Sequence, residues 1–353
     1  MIAWLLDDLR GIDSLRLARV PDPQPGPGEV VLRLYFAALN PADRYLAEGQ
    51  YPARPPLPHV LGRDGAGDVV SVGEGVENIR VGDSFAILRG DVGVNRWGTF
   101  AQLVAVPVQS LVEIPNGWSK DKAAAATLVY LTAYQALTQW PDLAERATVL
   151  VTGASGGVGV ATVQLAVAMG HTVVGLSRDP QKREKVKALG ASHVFDPQDK
   201  TWRKQLKETL AGRGVDLAID NIGGTLLPEV IETLAYGGRV SLVGRLAGPV
   251  PQFNTATLFF RRLRLGGVAV GTYGNAEARV AWGKVLELMN RTGARPLIDR
   301  LIRIDRLPAA FARLAEGPMG KVLLDIMSSG PVDDPPKALL RLISAGPAHV
   351  PPS

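Results

Sequence analysis

Two short stretches of this chain carry residues whose types and spacing can do chemistry. The first, Gly153-Ala154-Ser155-Gly156-Gly157-Val158-Gly159, follows the apolar run Thr148-Val-Leu-Val-Thr152 and leads into a long apolar segment. In a strand–turn–helix setting Gly153 permits a tight turn, and Gly156 and Gly157 let the backbone close on a pyrophosphate. Gly159 lets the helix pack on the strand, and the helix N-terminus offers free N–H groups to anionic oxygens. The second stretch, Ser177-Arg178 with Lys182 and Arg183 just beyond, closes the next apolar run. An NAD site places Asp or Glu there to bind the ribose hydroxyls, whereas a hydroxyl and cations suit a 2′-phosphate, so the pattern predicts NADPH even with Asp179 next in line. The same glycines also spell Gly-x-Ser-x-Gly around Ser155, the nucleophile elbow of a hydrolase. That chemistry needs a His late in the chain, and only His171, His193 and His349 follow. The first two fall at predicted strand edges and the third in the tail, which favours dinucleotide binding over the elbow.

Composition removes other classes. The chain has no cysteine among its 353 residues, which excludes disulfides, thiolate metal ligands and a cysteine nucleophile. Its 39 Lys and Arg outweigh 34 Asp and Glu by a net charge of +5, but they are scattered, without the one-sided basic face of a nucleic-acid binder. The opening Met1-Ile-Ala-Trp-Leu-Leu-Asp-Asp has no basic start and meets acid early, unlike a secretory signal, so the cytoplasm is the expected location. Residues 147–177 carry no Asp, Glu, Lys or Arg, yet the glycine turn in their middle marks strand–turn–helix–strand rather than a membrane span.

The elements that must position these residues fall into two textures. Up to about residue 115 the chain reads as β-rich, with strands over 29–35, 66–72 and 83–88, predicting a closed or strongly bent antiparallel unit. From about residue 121 strands and helices alternate. Helices are predicted over 122–135, 158–169, 181–189, 200–210 and 226–235, and strands over 148–152, 172–176, 193–195, 215–220 and 239–243. That alternation implies parallel crossovers and an α/β fold with a doubly wound parallel sheet. A helix over 255–260, a strand over 265–270, a helix over 277–292 and a strand over 320–325 follow. Residues 330–353 read as a Pro-rich C-terminal tail.

Taken in order, Ala38-Leu-Asn40-Pro41-Ala-Asp43, Gly62-Arg-Asp64-Gly65-Ala-Gly67, Val72-Gly-Glu-Gly75-Val, Val81-Gly82-Asp83, the glycine turn and Gly320-Lys321-Val-Leu-Leu are similar to a known pattern. Over about residues 1–328 the chain resembles the medium-chain dehydrogenase/reductase superfamily, in its zinc-free quinone oxidoreductase and enoyl reductase branch. The resemblance implies a Rossmann doubly wound parallel sheet domain inserted in a GroES-like β-rich catalytic domain. On that pattern 1–120 is the first part of the catalytic domain, 121–258 the NADPH-binding domain and 259–329 the return to the catalytic domain. It also implies a dimer or a tetramer, with a homodimer the expectation. The zinc-binding branch carries Cys near the position of Asn40 and a His-Glu pair where this chain has Arg63-Asp64. With His59 as the one imidazole nearby, no metal is expected.

Residue by residue, the resemblance implies two roles for Tyr51 in Gly49-Gln50-Tyr51: donor of a proton to a developing enolate or reduced quinone oxygen, or a wall of the pocket. Both stay open at this point. Asn40 would orient the carboxamide or substrate, and Thr127 and Thr132 would line the nicotinamide face. Ser155, Gly156, Gly157, Val158, Ser177, Arg178 and Lys182 would hold the phosphates. Asn221, Gly223, Gly244, Arg245, Val268, Val270 and Lys321 would border the rest of the cofactor. Many relatives place a Tyr near the adenine where this chain has Pro197, so stacking would pass to Arg178. The implied activity is hydride transfer from NADPH to a small-molecule quinone or α,β-unsaturated carbonyl. The alternatives are a non-catalytic NADPH-binding module and, less favoured, a Ser155 hydrolase.

Overall fold

The computed structural model describes residues 1–88, 91–248 and 253–328, and these form two compact units. The first holds Met1–Ala124 and Arg300–Leu314 and resumes at Val322; the second holds Ala125–Asp299 and Ala315–Lys321.

The first unit opens with an antiparallel hairpin of β1 (Ile2–Leu6) and β2 (Leu15–Arg19). There follow β3 (Glu29–Ala38), α1 (Pro41–Ala47), β4 (Asp64–Val72), β5 (Ser84–Ile87), β6 (Leu103–Pro107), β7 (Leu111–Glu113) and α2 (Lys120–Ala124). β3 pairs antiparallel with both β4 and β6, β4 with β5, and β5 with β7. The β3–β4 ladder carries two register shifts, with Val70 extra on β4 and Tyr35 extra on β3, the irregularity that bends and twists antiparallel strands. Leu5, Leu6, Leu32, Leu34, Leu46, Leu61 and Phe100 are buried together in its core.

The second unit runs α3 (Thr127–Thr138), β8 (Thr148–Val151), α4 (Gly157–Ala168), β9 (Thr172–Leu176), α5 (Pro180–Ala188), β10 (His193–Phe195), α6 (Trp202–Thr209), β11 (Val215–Asp220), α7 (Leu226–Thr233), β12 (Leu234–Leu242), α8 (Ala256–Phe260), β13 (Arg264–Gly267) and α9 (Asn275–Thr292). Its six strands lie parallel in the order β10-β9-β8-β11-β12-β13. Strand order reverses between β8 and β11, and ligands of such sheets bind beyond the strands' carboxyl ends at that point. α4 carries apolar residues all round and buries Val160, Val163 and Leu165, as a helix lying on a sheet does. The chain then forms β14 (Ile298–Arg303), α10 (Leu307–Ala315) and β15 (Lys321–Asp325), and β15 pairs antiparallel with β3.

Several expectations shift. The return to the first unit does not start at residue 259: β13 extends the parallel sheet beside β12, and α9 stays with it. The helix expected over 122–135 is two helices, α2 and α3, because an alanine run carries no visible breaker where the chain turns. The strand expected over 265–270 ends at Gly267, and Val270 opens a single 3-10 turn. α7 stops at Thr233, where Leu234 already begins β12. The tail at 330–353 lies outside the described residues. Among those described, no helix is long and apolar enough to cross a membrane.

Candidate cofactor and active sites

In the second unit, β8 delivers the chain into the glycine turn. Gly153 has φ +58°, the left-handed region that favours glycine, and the turn closes through the Gly156 N–H to the Gly153 carbonyl at 3.0 Å. A Cβ on Gly159 would stand 2.1 Å from the Gly153 carbonyl oxygen, with further backbone behind it, so only glycine lets α4 start this close to β8. Gly156 is the cap of α4 and, being a glycine, brings no side-chain cap to the first helical N–H groups, those of Gly157 and Val158. A Cβ on Gly157 would meet the Lys321 stem at 2.9 Å. The Gly320 N–H donates to the Ser155 carbonyl at 2.8 Å, so the segment before β15 walls the turn on one side. An uncapped helix N-terminus beside a glycine turn is the donor set that a pyrophosphate requires.

Next to the turn lies a buried polar hub. Asp220, fully buried at the end of β11, accepts from the Thr152 hydroxyl at 2.7 Å and from the Gly223 N–H at 3.0 Å. The Thr152 hydroxyl in turn accepts from the Asn221 N–H at 2.9 Å, and the Asn221 amide group donates to the Thr152 carbonyl at 2.8 Å. That orientation leaves Asn221 Oδ1 buried with no protein donor. An orphaned buried acceptor costs about 1–3 kcal/mol unless a ligand or water donates to it, and ribose hydroxyls are such donors. Gly223, Gly244 and Arg245 meet here: a Cβ on Gly223 would touch Arg245 Cα at 3.3 Å, and one on Gly244 would stand 2.7 Å from the Asn221 carbonyl. The cradle, the orphaned acceptor and the uncapped helix fit a nicotinamide dinucleotide.

The corner after β9 gives its basic residues different duties. Asp179 caps α5 by accepting from the Lys182 N–H at 3.0 Å, and that hydrogen bond holds its carboxyl below the usual range. The Lys182 ammonium donates to the Gly317 carbonyl instead of standing open to a phosphate. Arg183 donates to the carbonyls of Ser177 at 3.0 Å and Arg178 at 2.8 Å, and to Asp196 at 3.0 Å. Ser177 is buried and its hydroxyl faces that of Ser155 at 3.4 Å. Arg178 is exposed, and its guanidinium has no protein partner among the described residues. Further along, the Val268 N–H donates to the Leu242 carbonyl at 2.9 Å, and Thr127 and Lys321 are buried.

Ser155 is a poor nucleophile here. The only non-glycine residues with positive φ among those described are Ala211 and Arg262, so Ser155 lacks the strained backbone of an elbow. His171 Nδ1 is occupied by the Ala147 N–H at 3.2 Å, and His193 stacks on Phe195. His349 lies outside the described residues.

The first unit carries the other two named side chains. Asn40 caps α1: its N–H donates to Asp43 at 2.8 Å, and its side-chain amide donates to Asp64 at 2.9 Å. Tyr51 is half-buried and its hydroxyl accepts from Arg63 Nη1 at 3.0 Å, while the guanidinium carbon lies 4.4 Å from the ring centre. Arg54 ties the turn down by donating to the carbonyls of Gly49 at 2.7 Å and of Tyr51. His59 is buried with Nε2 unpartnered, and burial pulls its pKa down to about 4. Sequence reasoning missed Arg63 as a partner of Tyr51, and Thr152 and Asp220 as the hub under Asn221. A hydroxyl directly before the glycine turn and an acid at the end of a strand were the available signals for the second pair.

Comparison with known proteins agrees with this geometry. Residues 26–116 match the model for the alcohol dehydrogenase GroES-like domain, and residues 157–291 match that for zinc-binding dehydrogenases. The human synaptic vesicle membrane protein VAT-1 homolog is 31% identical over 342 residues, covering 91% of this chain and 85% of that protein. The chain belongs to the medium-chain dehydrogenase/reductase superfamily. Among solved structures, an NAD-dependent alcohol dehydrogenase superposes with TM-score 0.84 at 30% identity, covering 92% of this chain and 100% of the other. Mycobacterial Rv1454c complexed with NADPH gives 0.83 at 27% identity, covering 92% and 100%. With neither cysteine nor a His-Glu pair at the zinc positions, this superfamily member falls in the zinc-free branch, as an oxidoreductase of the alcohol dehydrogenase type. No cluster of three or more His, Asp or Glu able to hold a metal occurs among the described residues.

Proposed function

We propose that this oxidoreductase uses NADPH to reduce a quinone or an α,β-unsaturated carbonyl, with Tyr51 as proton donor. The observation that carries the cofactor choice is the Arg178 guanidinium, exposed and without a partner among the described residues, next to Ser177, whose hydroxyl lies 3.4 Å from that of Ser155 in the glycine turn. The similar structures include one named NAD-dependent and one complexed with NADPH, so the choice rests on this chain's own residues. NADPH, once bound, supplies the hydride. The glycine turn and the first N–H groups of α4 hold its pyrophosphate, Asn221 Oδ1 accepts from a ribose hydroxyl, and Arg178 pairs with the 2′-phosphate.

For the proton, Tyr51 is the group the first unit offers. Its oxygen already accepts from Arg63, so its own hydrogen is left to donate elsewhere. His59 is neutral at pH 7 and buried, which removes the one imidazole nearby from that role.

The test mixes NADPH with 9,10-phenanthrenequinone, 1,4-naphthoquinone and a series of 2-alkenals and follows absorbance at 340 nm. Oxidation of NADPH by at least one acceptor class is expected, and Tyr51→Phe lowers kcat with 2-alkenals about 100-fold or more, the usual contribution of a positioned acid. NADPH binding without oxidation by any acceptor would make the chain a cofactor-binding module instead. An unchanged kcat in Tyr51→Phe would remove the phenol from the chemistry.

A further inference from the structure

Arg63 and Asp64 occupy the place where zinc-binding relatives carry metal ligands, yet each has a definite task in this structure. Asp64 opens β4 and accepts from the Asn40 side chain at 2.9 Å. Arg63, one residue earlier, reaches the other way. Its Nη1 donates to the Tyr51 hydroxyl at 3.0 Å, its guanidinium lies over the Tyr51 ring, and its Nε faces Asp43 Oδ1 at 3.5 Å. Asp43 is fully buried and its other oxygen accepts from the Asn40 N–H at 2.8 Å. The pair with Asp43 is an ion pair without a hydrogen bond, so the ring contact and the bond to the Tyr51 hydroxyl are what orient the guanidinium.

We infer that Arg63 is a positioning residue for Tyr51: it fixes the phenol and carries the compensating charge when Tyr51 gives up its proton. The inference rests on the reading of Tyr51 as proton donor. In that step the hydride pair reduces the β-carbon of the unsaturated carbonyl, and the Tyr51 O–H bond breaks as its proton passes to the resulting enolate. The phenolate left behind stays beside the guanidinium until water reprotonates it. A donor in place beforehand stabilises charge where it develops, at no cost of reorganisation. The charged and titratable groups around this phenol are Arg63, Arg54 on the turn's carbonyls, Asp43 and Asp64 behind Arg63, and His59, whose own charge Arg63 disfavours. Only Arg63 among them touches the hydroxyl.

The test is a double-mutant cycle on the full-length protein, using kcat with a 2-alkenal, its solvent deuterium isotope effect, and the Kd for NADPH from cofactor fluorescence. Arg63→Gln is expected to lower kcat by about 10- to 100-fold, with the Kd for NADPH within about twofold of the parent. Arg63→Lys, which keeps the cation but not the fork, recovers part of that loss and serves as the test should the Gln variant fail to fold. In a Tyr51→Phe background Arg63→Gln costs less than about twofold, because residues acting on one step are not additive. The solvent isotope effect grows in Arg63→Gln as proton transfer becomes rate-limiting. Full additivity with Tyr51→Phe, or an unchanged kcat in Arg63→Gln where Tyr51→Phe is impaired, would overturn the inference alone. An unimpaired Tyr51→Phe would overturn the reading of Tyr51 beneath it.

Discussion

Replacing Arg178 with alanine should separate NADPH from NADH, and the structure sets how far. The corner after β9 holds three cations and a hydroxyl, which at first count promises several contacts to a 2′-phosphate. The geometry reduces that number. The Lys182 ammonium is bonded to the Gly317 carbonyl, Arg183 is shared among two carbonyls and Asp196, and Ser177 is buried against Ser155. Arg178 remains. One hydrogen bond to a charged group contributes about 1.5–3 kcal/mol, which at 1.4 kcal/mol per decade is a preference of roughly 10- to 150-fold. Arg178→Ala should therefore cut kcat/KM with NADPH by about that factor and leave the value with NADH within about threefold. Lys182→Met should change the NADPH-to-NADH ratio by less than about threefold, since its ammonium is anchored on the Gly317 carbonyl. Initial rates at 340 nm with 9,10-phenanthrenequinone and each cofactor give the ratios, and competition by 2′,5′-ADP against ADP isolates the phosphate. Equal losses with both cofactors in Arg178→Ala, or a Lys182→Met effect as large as that of Arg178→Ala, would refute this account of the corner.

Two further outcomes follow from single positions. Gly159→Ala places a Cβ 2.1 Å from the Gly153 carbonyl oxygen, and both neighbours are backbone, so urea unfolding should show a loss of about 2–3 kcal/mol together with weakened NADPH binding. A stability equal to that of the parent would mean the turn is looser than drawn. His59 titrates near 6.5 when unfolded and about 4 when folded. The unfolded chain therefore binds the extra proton, and the stability His59 contributes is complete above pH 6.5 and lost as pH falls toward 4. The full loss is about 3 kcal/mol, at roughly 1 kcal/mol per pH unit near pH 5. Urea unfolding at pH 7, 6 and 5 should show this slope, and His59→Gln should flatten it; an unchanged slope would place the acid sensitivity elsewhere.

The parts of this molecule legible in the sequence are those whose signals are local. Strands β9, β10 and β11 coincide with the predicted runs because buried parallel strands are short apolar stretches bounded by turns. The glycine turn is legible for the same reason, since the bond that closes it and the tight approach of Gly159 to Gly153 involve residues within a few positions. What stayed hidden depends on distant partners or on silent boundaries. The Ile2–Leu6 strand is an apolar run whose pairing with Leu15–Arg19 no turn motif announced. Helix α10 buries Leu307, Ala310 and Phe311, a helical spacing that was present, with Pro308 near its start and Gly317-Pro318 past its end, and that went unread because the run is short. Lys182 and Arg178 look alike on paper, and only the Gly317 carbonyl tells them apart. Arg63 finds Tyr51 across the loop between α1 and β4, and nothing in the spacing of the two foretells the contact.

The wall that Gly320 forms beside Ser155 bears on how the molecule comes into being. The N–H that meets the Ser155 carbonyl belongs to Gly320, far later in the chain than the glycine turn it closes. The first unit shows the same dependence: the Trp4 indole donates at 2.7 Å to the carbonyl of Ile304, 300 positions later. Neither unit has its full set of contacts until that later segment has been made. Each unit therefore closes through contacts of high sequence separation, which are slow to form because the intervening chain must be ordered first.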